Sequence, residues 1–376
     1  MKKEVFIQTF GCQMNVRDSE VVAGLLKDAG YKITDDRTVA DIVVFNTCSV
    51  RQHAEDKVWS EIGRFKKNKP IIGVIGCMAQ NYKDSIFQRA QDVDFVVGPS
   101  DIAKIPEIIK KLGRMPDAAG RKSNLLELKI WETDGLNRPE EIYHTGFYEG
   151  KEDAFVVISE GCSNFCSYCV VPYVRGPLKN RKPEDIIKEI KKAIGKGITK
   201  ITLLGQNVNA YKSSVDFIGL LKLVNDIKGL KEFSFVTSHP KDTSKELFQV
   251  MADLNKLKKY LHMPVQSGSD KILKLMNRGY TKSFYLDLAH NYRKIVETGV
   301  LTTDIIVGYP GETEKDFQDT YDLLKEAQFN AAYIFKYSPR DNTAAAKLND
   351  DVAKTEKERR HREILELQKK ISKGHK

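Results

Sequence analysis

The N-terminal part of the chain alternates short apolar runs with stretches of helical spacing. VFIQTFGC (5–12) is an apolar run ending in Gly11 and Cys12. NVRDSEVVAGLLKDAG follows, with Val21, Val22, Leu25 and Leu26 at helical intervals, Asp18 and Ser19 as candidate caps and Gly30 as terminator. The pattern repeats: DIVVFNTC (41–48) precedes VRQHAEDKVWSEIGRFKK, IIGVIGC (71–77) precedes MAQNYKDSIFQRAQ, and VDFVVGP (93–99) precedes IAKIPEIIKKL. Strands this apolar, alternating with helices, predict a parallel sheet covered on both faces. Residues 1–120 are expected to form this domain. Periodicity then fades, and 121–150 reads as a linker with short extended pieces.

The alternation resumes over 151–350. AFVVISEGC (154–162) reads as a strand, and PEDIIKEIKKAIGKG (183–197) as a helix opened by Pro183 and closed by Gly197. Further strands are expected at 198–207, 233–240, 259–269, 302–312 and 331–340, with helices around 215–228, 243–256, 270–276, 283–298 and 313–327. Six β/α units without a GxGxxG turn favour a partial (β/α)6 barrel over a dinucleotide fold. The fold class is thus α/β, an open parallel α/β sheet domain followed by a partial barrel. Residues 351–376 predict a basic C-terminal helix that packs through Ile364, Leu367 and Ile371. Its Lys357, Arg359, Arg360 and Arg362 read first as a solvated face and second as a nucleic-acid contact.

Six cysteines fall into two trios. Cys162, Cys166 and Cys169 are spaced Cys-x3-Cys-x2-Cys in one loop, with no nearby His or Cys to complete a four-ligand zinc site. Three thiolates can hold a cubane iron-sulphur cluster and leave one iron open to a small molecule. Cys12, Cys48 and Cys77 each stand just past the apolar core of a different strand, at its carboxyl end. Those ends share one edge in a parallel sheet, where ligands bind. A single such cysteine would be read as a buried apolar residue; three at equivalent positions argue for a ligand set.

The barrel strands also end in polar residues: Gln206, Asn207 and Asn209; Ser238 and His239; Gln266 and Ser267; Tyr337 and Arg340. Turn formation and helix capping account for such residues one at a time, whereas a ring of them suits a ligand-binding mouth. His239 and His262 read as hydrogen-bonded structural histidines.

Composition narrows the class. Hydrophobic residues are 41% and charged residues 30% of 376, and no apolar run approaches a membrane span of about 20 residues. A soluble, cytoplasmic, monomeric protein with reduced thiols is expected. Lys and Arg outnumber Asp and Glu by 61 to 51, giving +10, a balance compatible with a polyanionic partner.

The loop trio resembles the cluster motif of the radical S-adenosylmethionine superfamily. The flanking VVPYVRG, LLGQNVN, HMPVQSGSD and IVGYPGETEKDF, with GCQMN, NTCSVRQHAEDKVWSEIGRF and GVIGCMAQ, are similar to the MiaB-type tRNA methylthiotransferases over residues 4 to about 346. The resemblance implies two 4Fe-4S clusters. One, on Cys162, Cys166 and Cys169, would bind S-adenosylmethionine and cleave it to a 5′-deoxyadenosyl radical. The other, on Cys12, Cys48 and Cys77, would carry the sulphur. The implied reaction inserts a methylthio group at carbon 2 of N6-isopentenyladenosine next to the tRNA anticodon, where an unpaired base can be splayed into a pocket. Tyr168, Gln206, Ser238 and Gln266 would contact S-adenosylmethionine, and a donor such as flavodoxin or ferredoxin would supply electrons. The alternatives are a sister enzyme acting on N6-threonylcarbamoyladenosine in tRNA or on a ribosomal protein, and a non-catalytic metal-binding protein that docks RNA.

The sequence departs from the family at Pro177, Leu178 and Asn180, where charged residues and a Ser are usual, and at SPRDNTAAA (338–346), where a Pro-Gly turn is typical. Family members usually also carry a small C-terminal RNA-binding β-barrel, which is not seen before Lys376.

Overall fold

The computed structural model describes residues 3–49, 52–64, 70–113, 129–135, 138–146 and 151–375. The chain divides into two units, residues 1–150 with Tyr173–Gly176, and 151–172 with 177–376.

In the first unit every apolar run becomes a strand. β1 (Glu4–Phe10), α1 (Gln13–Asp28), β2 (Lys32–Ile33), β3 (Ile42–Thr47), α2 (Gln52–Ile62), β4 (Ile71–Gly76), α3 (Cys77–Tyr82), α4 (Ser85–Arg89), β5 (Phe95–Val97) and α5 (Ile105–Gly113) follow in order. A last strand, β6 (Ile130–Glu132), completes a six-stranded parallel sheet ordered β2-β1-β3-β4-β5-β6. All six residues of β3 are buried, as a central strand covered on both faces requires. Val43, Phe45, Val58, Ile72, Val74, Met78 and Ile86 form one core on the sheet.

The register settles where the chain leaves the sheet. Phe10 pairs with Thr47, and Thr47 with Gly76, so three strands end level. The stretch expected as a linker with short extended pieces contributes one such piece, β6, to the sheet. Besides β6, Arg17 of α1 donates from Nη2 to the carbonyls of Tyr143 and Thr145, at 2.7 and 2.9 Å. Residues 121–128, 136–137 and 147–150 of that stretch lie outside the described residues.

The second unit is an arc of six parallel strands: β7 (Asp153–Val157), β10 (Lys200–Leu204), β11 (Glu232–Phe235), β12 (Tyr260–His262), β13 (Val300–Val307) and β14 (Ala331–Lys336). The ladder is continuous over each set of three, and the sets are joined by a parallel bridge between Phe233 and Leu257. Two short antiparallel strands, β8 (Ser159–Glu160) and β9 (Lys179–Asn180), close the base of the cysteine loop, and the helix α6 (Val171–Arg175) lies between them. The crossover helices are α7 (Pro183–Ile194), α8 (Phe217–Asn225), α9 (Lys245–Asp253), α10 (Asp270–Leu275), α11 (Lys282–Ile295) and α12 (Glu314–Ala327). Ser269, Thr281 and Thr313 cap α10, α11 and α12 through their hydroxyls.

The strand expected over 259–269 is cut to three residues. Pro264 has no N–H for the ladder, and Gln266 takes φ 74°. Pairing resumes only as a bridge from Gln266 to Ile305.

The C-terminal helix α13 (Lys354–Gly374) packs on β14 and α12 with Ile364, Leu367 and Ile371 buried. Three of its cations are engaged in ion pairs, and Lys357 and Arg360 are buried, which corrects their first reading as part of a solvated face. Lys357 pairs with Asp350 at 2.6 Å, Arg359 with Glu363 at 2.8 Å and Arg360 with Glu312 at 2.8 Å. Among the described residues no helix is long and apolar enough to cross a membrane.

Candidate functional site

The level strand ends of the first unit deliver three thiols. Cys12 caps α1 two residues after β1, Cys48 follows β3 directly, and Cys77 opens α3 straight after β4. Two glycines let them approach. A Cβ on Gly11 would lie 2.5 Å from Asn15 Oδ1 and 2.9 Å from Cys48 Cβ. Gly76 has φ 91°, and its Cβ would meet Asn46 Oδ1 at 2.5 Å and the Thr47 carbonyl at 2.7 Å.

A carboxamide network holds this edge together. Asn15 Nδ2 donates to Asn46 Oδ1 at 2.9 Å, and Asn46 Nδ2 donates to the Asn15 carbonyl at 2.8 Å and to Ser19 Oγ at 2.9 Å. Beneath it lies a buried charge cluster: Asp18 accepts from Arg138 at 2.7 Å and from Arg175 at 2.8 Å. Arg175 then donates from Nε to Cys77 Sγ at 3.3 Å. Burial pushes the Asp18 carboxyl up, but the two arginines outweigh it and hold the pKa below the ordinary value.

The hydrogen bond from Cys48 brings the Cys12 pKa down to about 6, against burial and with help from Arg175. Burial moves the Cys77 thiol up, opposed by Arg175. A thiolate is the metal-binding form of cysteine, and the Cys12 Sγ also lies 3.3 Å from Asn15 Oδ1.

In the second unit the loop 161–170 is pinned from below. Asn277, itself at φ 56°, donates to the carbonyl of Phe165 at 3.0 Å. Ser167 donates to the Leu275 carbonyl at 2.8 Å and shares a 2.8 Å hydrogen bond with Tyr309. Ala345, within the segment that departs from the family turn, donates its N–H to the Ser167 carbonyl at 2.7 Å. At the other departure, the backbone of Leu178 donates to Ser163 Oγ at 3.1 Å, and Asn180 donates to the Lys212 carbonyl at 2.9 Å. Burial raises the thiols of Cys162 and Cys169, the latter to about 12, with Cys166 adding to both.

The remaining predicted contacts fall at strand carboxyl ends. Tyr168 packs among Ile272, Met276, Tyr309 and Tyr337, with its hydroxyl 3.4 Å from Arg278 Nη1. Gln206 is half-buried after β10, Ser238 is buried after β11, and Gln266 is buried after β12. Among the described residues, several buried polar atoms on this edge have no hydrogen-bond partner: Ser159 Oγ, Asn207 Oδ1, Ser238 Oγ, His239 Nε2 and Tyr337 OH. His239 Nδ1 accepts from the Lys241 backbone at 3.2 Å, so the proton sits on Nε2. Burial, Arg278 and Lys241 bring the histidine down to about 2, and it is therefore a neutral donor. Buried polar groups are nearly always satisfied, and such a set fits a polar ligand in the mouth.

Both trios fit clusters by their chemistry. Among the described residues no three His, Cys, Asp or Glu side chains converge tightly enough to grip one metal ion. A cubane asks for less convergence, because each thiolate binds its own iron. The sequence reading passed over Arg278 and Asn277, which sit in MNRGY far from the cysteines, and over Asp18 as more than a cap. Asn15 and Asn46 were visible only as parts of GCQMN and NTC.

Residues 4–98 match the family described as uncharacterized protein family UPF0004, and residues 156–324 match the radical SAM superfamily. The tRNA-2-methylthio-N(6)-dimethylallyladenosine synthase of Thermoanaerobacter sp. (strain X514) is 44% identical over 382 residues, covering 97% of this chain and 78% of the relative. The protein of the same name from Syntrophus aciditrophicus (strain SB) is 43% identical over 362 residues, covering 94% of this chain and 76% of its own length. Among solved structures, the radical S-adenosylmethionine methyltransferase TsrM from Kitasatospora setae, with cobalamin and a [4Fe-4S] cluster bound, aligns with a TM-score of 0.60 at 15% identity. That alignment covers 92% of this chain and 74% of TsrM. The cobalamin-dependent S-adenosylmethionine radical enzyme OxsB aligns with a TM-score of 0.59 at 13% identity, covering 99% and 56%. At these identities the structures speak for the fold alone.

Proposed function

We propose, from the premise that the chain belongs to the tRNA-2-methylthio-N(6)-dimethylallyladenosine synthase family, that its two cysteine trios hold two 4Fe-4S clusters with separate duties. The reaction adds a methylthio group to carbon 2 of N6-dimethylallyladenosine, the isopentenylated base, in tRNA. The observation that carries this reading is the second trio: Cys12, Cys48 and Cys77 stand at level strand ends of the first unit, whereas Cys162, Cys166 and Cys169 belong to one loop of the second. When bound, the loop cluster would supply the electron that cleaves S-adenosylmethionine to a radical, and the sheet-edge cluster would supply the sulphur.

The chain's own residues prepare each site. Asn15 and Asn46 lock the sheet-edge loops, and Arg175 orients Cys77. Ser238 Oγ, His239 Nε2–H and Asn207 Oδ1 offer unspent hydrogen bonds to a ligand in the barrel mouth, and Tyr168, Gln206 and Gln266 are the further candidates to border S-adenosylmethionine there. In its neutral state His239 is a hydrogen-bond donor that adds no charge of its own to the mouth. We further infer a low-potential one-electron donor of the flavodoxin or ferredoxin type, and action as a cytoplasmic monomer.

Mass spectrometry of tRNA nucleosides from a host lacking its own enzyme tests the substrate. Expression of this chain should convert N6-dimethylallyladenosine to its 2-methylthio derivative. Appearance of methylthio product only on threonylcarbamoyladenosine would overturn the assignment.

A further inference from the structure

Buried arginines in this protein come with carboxylates. Arg17 lies 3.7 Å from Glu20, Arg175 2.8 Å from Asp18, Arg181 2.6 Å from Glu189 and Arg360 2.8 Å from Glu312. Arg278 is the exception. It is 4% exposed, and among the described residues no carboxylate lies within ion-pair distance of it. Its Nη2 donates to the Pro264 carbonyl at 2.8 Å and its Nε to the Tyr280 hydroxyl at 2.9 Å. Nη1 faces Cys166 Sγ at 3.3 Å and the Tyr168 hydroxyl at 3.4 Å.

A buried charge without a counter-charge is strongly unfavourable. The neutral acceptors around Arg278 satisfy its hydrogen bonds but not its charge, so the site calls for an anion. The one atom in reach that becomes anionic on cluster assembly is the sulphur of Cys166.

We propose that Arg278 is the counter-charge of the loop cluster, a positioning residue that holds Cys166 and favours the reduced state. The inference rests on the assignment of Cys162, Cys166 and Cys169 to that cluster. Three thiolates outweigh the positive charge of the iron-sulphide core, and one electron taken from a low-potential donor adds a further negative charge. A fixed cation in low-dielectric surroundings therefore stabilises the reduced form more than the oxidised one. Hydrogen bonds to cluster sulphurs and local charge tune such potentials. By contrast, the charge of Arg175 beside Cys77 is largely spent on Asp18.

The test uses the full chain carrying Cys12→Ala, Cys48→Ala and Cys77→Ala, so that a single cluster remains after anaerobic reconstitution. Its reduction is followed by electron paramagnetic resonance at set potentials, without S-adenosylmethionine. Arg278→Gln should lower the ratio of reduced to oxidised cluster at least about tenfold at a given poise, equivalent to about 59 mV for one electron. Arg278→Lys should recover most of that loss. Tyr280→Phe keeps the charge and should leave the ratio close to the parent's.

An unchanged potential in Arg278→Gln, or an effect confined to S-adenosylmethionine binding, would overturn the proposal. If Arg278→Gln sheds its iron, the lysine variant decides: retention near the parent potential supports the charge role, and loss in both variants shows a shape requirement and refutes it. A parent with no reducible cluster at all is a separate outcome, which removes the loop-cluster assignment itself and this inference with it.

Discussion

Cys12, Cys48 and Cys77 are brought together by a sheet, whereas Cys162, Cys166 and Cys169 are brought together by a single loop. The sheet-edge trio depends on register, since Phe10, Thr47 and Gly76 must end level for the next residues to meet. It also depends on two glycines whose replacement would drive a Cβ into Asn15, Asn46 or Cys48. The loop trio has its spacing written locally and asks the fold only for a floor, which Leu275, Asn277 and Ala345 provide. One site therefore depends on the register of a whole sheet, and the other on the contacts of a single loop. Charge separates them too. The sheet edge sets two arginines around Asp18, while the loop faces an arginine that has no acid beside it among the described residues.

The largest effects should come from emptying each trio. Cys162→Ala with Cys166→Ala and Cys169→Ala should abolish both 5′-deoxyadenosine release and methylthio product. Cys12→Ala with Cys48→Ala and Cys77→Ala should keep S-adenosylmethionine cleavage and lose only the product, read by chromatography of both. Equal loss of cleavage in the two variants would break the division of labour.

Next in size is Asp18→Asn, which removes the buried carboxylate that Arg138 and Arg175 share. Breaking such a buried pair costs roughly 3 to 5 kcal/mol, to be read from urea unfolding. The sign with pH follows from the lowered carboxyl. Its contribution is complete above the unfolded value of about 3.9 and is lost as pH falls through the lower folded value. The variant should lack this part of the acid destabilisation seen in the parent.

Gly76→Ala should cost roughly 1 to 3 kcal/mol through left-handed backbone strain alone. It should reduce iron at the sheet edge while leaving the loop cluster intact. Equal iron loss at both sites would blur the contrast.

The smallest effect needs no mutation. In apoprotein the lowered Cys12 thiol should ionise well before Cys169, which burial pushes up to about 12. Timed iodoacetamide labelling should modify Cys12 at least about tenfold faster than Cys169. Similar rates would argue against the Cys48 hydrogen bond.

Much of this was legible from the chain alone because the informative signals were local or periodic. The apolar runs ending at Phe10, Thr47 and Gly76 declare parallel strands, and cysteines just past them predict a shared edge. The loop motif needs only spacing. What stayed hidden depends on distant pairing. Arg278 looks like any basic residue in MNRGY until Pro264, Tyr280 and Cys166 surround it. The pairing of Arg360 was hidden because its acidic partner Glu312 lies much earlier in the chain, whereas Lys357 and Arg359 find Asp350 and Glu363 close by in sequence. β6 is three residues long, too short to show alternation, and the strand near 260 was overextended because the break at Pro264 outweighs an apolar run.

Iron and sulphide analysis after anaerobic reconstitution tests the central claim most directly, applied to the parent chain and both trio variants. Two separate three-thiolate sites predict about eight irons and eight sulphides in the parent, and about four of each in either variant. About four irons in the parent, zinc in place of iron, or loss of all iron from either variant would contradict the account.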